Sequence, residues 1–160
     1  MRLKNYTTTV NHAKTINEIE SLLTSIGARR IMKEYDDNQK VIAITFDLEV
    51  MEKRVPFRMP SRIDRVPGAL RKIHNEEKSS SKRNLIKKSM NKPENIGWRI
   101  IKDWLEANIA IMTLDQVNMA EALLPFAVVD PQGKETLYQL LERNEFNFGA
   151  TGRNLLEYQG

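Results

Sequence analysis

The sequence predicts an α+β protein: a small antiparallel sheet of about three strands packed on an N-terminal helix, followed by a helical C-terminal half. Three observations predict it. Apolar residues fall at helical spacing over 15–26, alternate with polar ones over 40–59, and return to the helical period over 93–141. At 160 residues, 41% hydrophobic and 29% charged, the chain has the composition of an ordinary globular protein, long enough for one sizeable core or two small ones, with one domain the better expectation.

Residues 7–10 suit a short strand. Thr15-Ile16-Asn17-Glu18 then reads as a capping box, in which a threonine hydroxyl and a glutamate satisfy free amides at a helix start. Ile16, Ile19, Leu22, Leu23 and Ile26 continue it as an amphipathic helix, and Gly27 stands where a C-terminal cap belongs. Two strands follow, over 30–35 and 40–50, separated by the turn formers Asp36-Asp37-Asn38. In the second, Ile42, Ile44, Phe46, Leu48 and Val50 share one face. Val55, Phe57 and Met59 suggest a third strand, whose Pro56 cannot donate to a ladder and so belongs at a sheet edge or strand end.

Residues 62–73 read as a helix opened by Pro67. The stretch 74–92 (HNEEKSSSKRNLIKKSMNK) offers little apolar surface and reads as a basic, flexible loop. Pro93 suits a first helical turn. Ile101, Trp104, Leu105, Asn108, Ile111 and Met112 then trace a buried stripe, with Trp104 in the core and Arg99 paired to Asp103 one turn on. Thr113-Leu114-Asp115-Gln116 resembles a second capping box opening a short helix that ends before Pro125. Asp130-Pro131-Gln132-Gly133 is a turn, 136–141 a last helical piece, and the tail after Phe148 a loose end. The organisation expected is an α+β subdomain over 1–73, the basic loop over 74–92 and a helical part over 93–160, together forming one compact domain.

Charge is the strongest functional signal. Between Lys53 and Lys92 there are 13 basic residues and three acids, a net +10, while the remainder carries −6. The candidate contact residues are Lys53, Arg54, Arg58, Arg62, Arg65, Arg71, Lys72, Lys82, Arg83, Lys87, Lys88 and Lys92. Polarity of this kind points to nucleic acid, DNA or RNA, or to an acidic face of a nucleic-acid-processing complex. The alternative is a solvated face that serves solubility. Arg58 and Arg62 could together clamp a phosphate or carboxylate, or merely cover the sheet with their stems. Aromatics able to stack on bases are scarce in the segment: Phe57 lies within it and Trp98 just beyond. That scarcity favours backbone contact or protein contact over sequence reading.

Other chemistry is thinly represented. There is no cysteine, hence no disulfide, thiolate nucleophile or cysteine metal site. Asp103 and Glu106 share a helix face without a histidine or third carboxylate spaced to complete a metal site. His12 and His74 are far apart and read as turn residues. No phosphate loop, nucleophile elbow or zinc-protease helix occurs. The expectation is a protein without enzymatic activity, cofactor or metal. No apolar run approaches the roughly 20 residues that span a bilayer, and the N-terminus lacks the apolar core of a secretory signal. A soluble, cytoplasmic protein without a membrane partner is expected.

Three stretches resemble a family of small, largely uncharacterised phage and prophage proteins. They are Asn5-Tyr6-Thr7-Thr8 with Lys14-Thr15-Ile16-Asn17-Glu18-Ile19; Val55-Pro56-Phe57-Arg58-Met59-Pro60; and Gly97 to Ala107, continued by Leu123-Leu124-Pro125-Phe126. The resemblance runs over about residues 5–141 and transfers no site residues. It implies a mobile-element origin and a role in the host cytosol, as a binder of nucleic acid or as an inhibitor of a host defence nuclease, in the manner of anti-CRISPR proteins. The expected function is therefore binding of nucleic acid, or of a nucleic-acid-processing complex, through the basic middle segment. The alternative is stoichiometric inhibition of a host defence nuclease by protein–protein contact.

Overall fold

A computed structural model describes residues 8–147. It has an N-terminal helix, a three-stranded antiparallel sheet and then helices, an α+β architecture. Helix α1 (His12–Ser25) leads into β1 (Arg29–Tyr35), β2 (Val41–Val50) and β3 (Lys53–Pro60), paired in that order with β2 in the middle. A single 3-10 turn (Ile63–Arg65) opens α2 (Val66–Glu76). After it come α3 (Ser80–Ser89), α4 (Pro93–Thr113), α5 (Met119–Leu123), a second 3-10 turn (Leu124–Phe126) and α6 (Leu137–Arg143).

The alternation in β2 sends Ile44, Phe46 and Leu48 to one face, where all three are buried. Phe57 and Met59 of β3 join them, and the Phe46 and Phe57 rings stack at 5.7 Å. Ile16, Ile19 and Leu23 of α1 and Trp98 and Leu105 of α4 close the core from the helical side. Each such side chain contributes about 1.5–3 kcal/mol of transfer free energy. β3 is an edge strand, as Pro56 requires. The carbonyl of Pro56 faces outward and accepts from Val128 N at 2.9 Å, so the C-terminal chain lies along that edge. Ile42 departs from the expected face pattern: at the start of β2 it is 38% exposed.

Three local expectations differ from the structure. Residues 8–10 form no strand, and Thr7 lies outside the described residues, as does the tail after Phe148. α1 begins at His12, capped by Asn11, whose side chain accepts from Ala13 N. Thr15 is instead buried within the helix. Glu18 reaches Arg99 and Lys102 of α4, which leaves it in a helix–helix ionic seam rather than at a cap. Thr113 ends α4, and Asn118 caps α5 by accepting from Glu121 N, so the second capping box is absent there. A capping box does form at Thr136 with Gln139.

The largest correction concerns α4. Trp98, not Trp104, occupies the core: Trp98 is 1% exposed and Trp104 37%. The buried face runs through Ile96, Trp98, Lys102 and Leu105, and Ile111 is exposed. Arg99 does pair with Asp103. The stretch read as a loop contains α3, and α2 extends to Glu76 before it. Its single buried residue, Ile86, packs with Leu70 and Ile96 in a small second core, and this contact holds the helical hairpin α2–α3 against α4. Gly97 makes room for the hairpin's entry. A Cβ there would come within 2.7 Å of Ile63 Cγ1, so the 3-10 turn docks where α4 lacks a side chain.

Candidate nucleic-acid interface

The fold divides the basic segment into separate groups. Lys53 and Arg54 open β3 beside the β2–β3 turn, and Arg54 sits opposite Glu49 in the ladder. Arg54 shares a recess with Arg29, Asp47, Glu49 and Glu52, a mixed-charge surface. At the rise of a strand, Lys53 stands about 23 Å from Pro60 at the other end. Arg58 is committed within the protein. Its Nε and Nη2 donate to the two carboxylate oxygens of Glu34, at 2.9 and 2.8 Å. Of the two readings of Arg58 and Arg62, the phosphate or carboxylate clamp is therefore not assembled. Arg62, with φ of 47°, lays its guanidinium over the Tyr138 ring at 5.2 Å and makes no ion pair among the described residues.

Arg65 is exposed in the 3-10 turn, and the other eight cations lie on or beside the hairpin. α2 carries Arg71 and Lys72; Lys78 lies in the connection; α3 carries Lys82, Arg83, Lys87 and Lys88; and Lys92 precedes α4. All eight are exposed, and among the described residues none forms an ion pair. Elsewhere Arg30, Lys33, Lys40, Arg58, Arg99, Lys102 and Arg143 are paired, while Lys14, Arg29 and Lys134 form no ion pair among the described residues. Ser80, Arg83, Asn84 and Lys87 fall one helical turn apart on one face of α3. With Arg71 and His74 of α2 they line a groove of about 500 Å3 whose walls include no carboxylate.

The two acids nearby do not neutralise this surface. Glu77 closes α2 and accepts from Ser79 N at 3.0 Å, fixing the turn into α3. That backbone bond, helped by the Lys82 charge, holds its carboxyl below the usual range. Glu76 is exposed on the last turn of α2.

Neither aromatic expected near the basic segment is available to a ligand, since Phe57 is 2% exposed and Trp98 1%. The fold supplies others from distant parts of the chain. Trp104, Phe126 and Tyr138 line a recess of about 400 Å3 whose wall includes Arg62. Trp104 and Phe126 meet edge to face at 5.4 Å. The sequence pattern places Trp104 inside, and nothing local marks Phe126 or Tyr138 as surface aromatics. Only the surplus of apolar residues around α4, too many for one buried face, hinted that a second face was in use.

No family model, curated protein or solved structure matches the chain. Among the described residues no group of three or more His, Asp or Glu is placed to hold a metal ion, and no helix is long and apolar enough to cross a membrane.

Proposed function

We propose that this is a non-enzymatic, phage-type binding protein of the host cytosol that engages the nucleic-acid backbone through the α2–α3 hairpin. The observation that carries the proposal is the set of eight unpaired cations on one small, weakly cored unit, in a protein that pairs seven of its 14 other described cations. Such a surface is costly to keep. Arg83 and Lys87, four apart on one helix, repel by about 0.2–0.5 kcal/mol, and their neighbours add to this. A polyanion relieves that repulsion and releases its own counterions. The helix supports this use locally, since Lys87 and Lys88 in its last turn complement the negative end of the helix dipole. Origin and compartment rest on the resemblance alone.

The test is binding to labelled single- and double-stranded DNA and RNA, read by fluorescence anisotropy at about 50 and 200 mM salt. Submicromolar affinity that falls steeply with salt is expected, with a log–log slope of about −5 if six phosphates are neutralised. Reversing Lys82, Arg83, Lys87 and Lys88 to glutamate, with the fold checked by circular dichroism, should abolish it. Absence of binding at low salt, or equal affinity in the variant, would overturn the proposal. The first result would turn attention to inhibition of a nuclease by protein contact.

A further inference from the structure

We infer that the recess bounded by Arg62, Trp104, Phe126 and Tyr138 receives an unpaired nucleobase, so that the protein prefers single strands to duplex. The inference rests on the proposed function and specifies the form of nucleic acid engaged. Aromatic side chains carry the first part of the argument. A tryptophan is ordinarily highly buried, yet Trp104 keeps 37% of its surface exposed on the recess wall while Trp98 fills the core. Its indole meets the Phe126 ring edge to face, and its exposed part lines the recess. A volume of about 400 Å3 is in the range of small-ligand pockets and takes a planar heteroaromatic.

The polar groups carry the second part. Ser61 and Arg62 supply a hydroxyl and a guanidinium to a lining that is otherwise largely apolar. The Ser61 hydroxyl has no hydrogen-bond partner, and Arg62 no carboxylate, among the described residues. One apolar slot with donors at its edge suits a base whose own phosphate reaches Arg62.

Position carries the third. Ile100 lines the recess and also packs against the small core of Leu70, Ile86 and Ile96 beneath the hairpin. Arg62 precedes the turn Ile63–Arg65, which runs directly into α2. By helical rise, Arg62 and Arg71 are at most about 15 Å apart, a few nucleotides of strand, with Arg65 exposed between them. A strand held at Arg71 on the hairpin therefore lies within a few nucleotides of Arg62 and the recess beside it. A duplex would first have to unpair and unstack that base, at a cost of a few kcal/mol.

Trp104 provides the readout. Trp98 and Trp104 are the only tryptophans, and only Trp104 is open to solvent. Oligothymidylate should quench the emission of the protein, and Trp104→Leu should remove the quenching. In that variant, single-strand affinity should fall about 5- to 150-fold, the effect of losing one stacked base. Duplex affinity and the salt dependence should stay as in the parent, because the phosphate contacts remain. Millimolar thymidine monophosphate, too small to span to α3, should quench as well, and Arg62→Ala should weaken it. Single-strand binding without quenching, or equal loss of single-strand and duplex affinity in Trp104→Leu, would overturn the inference and leave the backbone proposal standing. Quenching by the mononucleotide without salt-sensitive polymer binding would do the reverse.

Discussion

Arg58 on β3 reaches across the whole sheet to grip Glu34 on β1, spanning the central strand with two parallel charge-assisted hydrogen bonds of 2.9 and 2.8 Å. The pair lies on the face opposite the main core. Beneath it Ala43 is fully buried, and the Thr45 hydroxyl is buried with no partner in the protein. The Arg58 side chain is 14% exposed and that of Glu34 32%, so solvent screens the pair only in part. Glu34→Ala leaves a half-buried guanidinium unpaired and should lower stability by about 1–2 kcal/mol in urea denaturation. The double variant Glu34→Leu with Arg58→Met should recover most of that. A loss below about 0.5 kcal/mol in the single variant would show that the pair is effectively screened.

Thr45→Val should act in the opposite direction. Its hydroxyl loses water on folding and gains no protein partner, whereas a methyl of similar shape has nothing to lose. Stabilisation of about 0.5–1 kcal/mol is expected, raising Tm by roughly 1–4 °C. A drop in Tm would mean that the hydroxyl is satisfied in solution.

What the sequence revealed, and what it hid, follows from how many neighbours each element has. α1 and β2 each bury one main face, so a single period describes them and their boundaries were nearly legible. α4 packs on α1 and the sheet, on the α2–α3 hairpin, and around the aromatic recess. Its apolar residues therefore ring the helix, and no one stripe distinguishes Trp98 from Trp104. α3 failed for the opposite reason. Only Ile86 of its ten residues is buried, so its sequence resembles that of a solvated loop, and the helix depends on a contact with Leu70 and Ile96. Arg58 looked like a free cation because Glu34 lies 24 residues away, and the aromatic recess draws on residues from 104 to 138 that only the fold brings together.

That dependence makes Ile86 the residue that keeps the cationic hairpin ordered. Ile86→Ala removes most of a fully buried side chain from a core of three residues, at about 2–4 kcal/mol. Because this cluster is separate from the main core, the cost should appear as local opening. Hydrogen exchange should accelerate for amides of α2 and α3 while those of β2 remain protected. Uniform acceleration across the protein would show that the two cores unfold as one.

The β2–β3 hairpin carries avoidable strain. Met51 and Glu52 have φ of 50° and 62°, the left-handed geometry of a tight two-residue turn that favours Asn-Gly. Met51 is also 90% exposed, so it adds little packing. Replacing the two by Asn and Gly should stabilise the protein by about 1 kcal/mol, measured by denaturant midpoint at unchanged slope. Loss of stability would mean that the two side chains make contacts which outweigh their backbone cost.

The Lys40–Glu94 ion pair gives the fold a pH dependence of definite sign. It ties the end of the β1–β2 turn to the first turn of α4. Burial pushes the Glu94 carboxyl upward, but the Lys40 hydrogen bond and charge and the local backbone amide outweigh it and hold it below its ordinary 4.5. Lys40 is raised above its ordinary 10.5, chiefly by its bond to Glu94. Folding therefore favours both charged forms. The Glu94 contribution is present above pH 4.5 and is lost as acid titrates it through its lower folded value; that of Lys40 is present below pH 10.5 and is lost above it. Glu94→Gln should thus be less stable than the parent at pH 7, and the gap should close as both are taken from about pH 5 to 3 in urea titrations. A gap that stays constant over that range would mean that Glu94 stabilises α4 by packing alone.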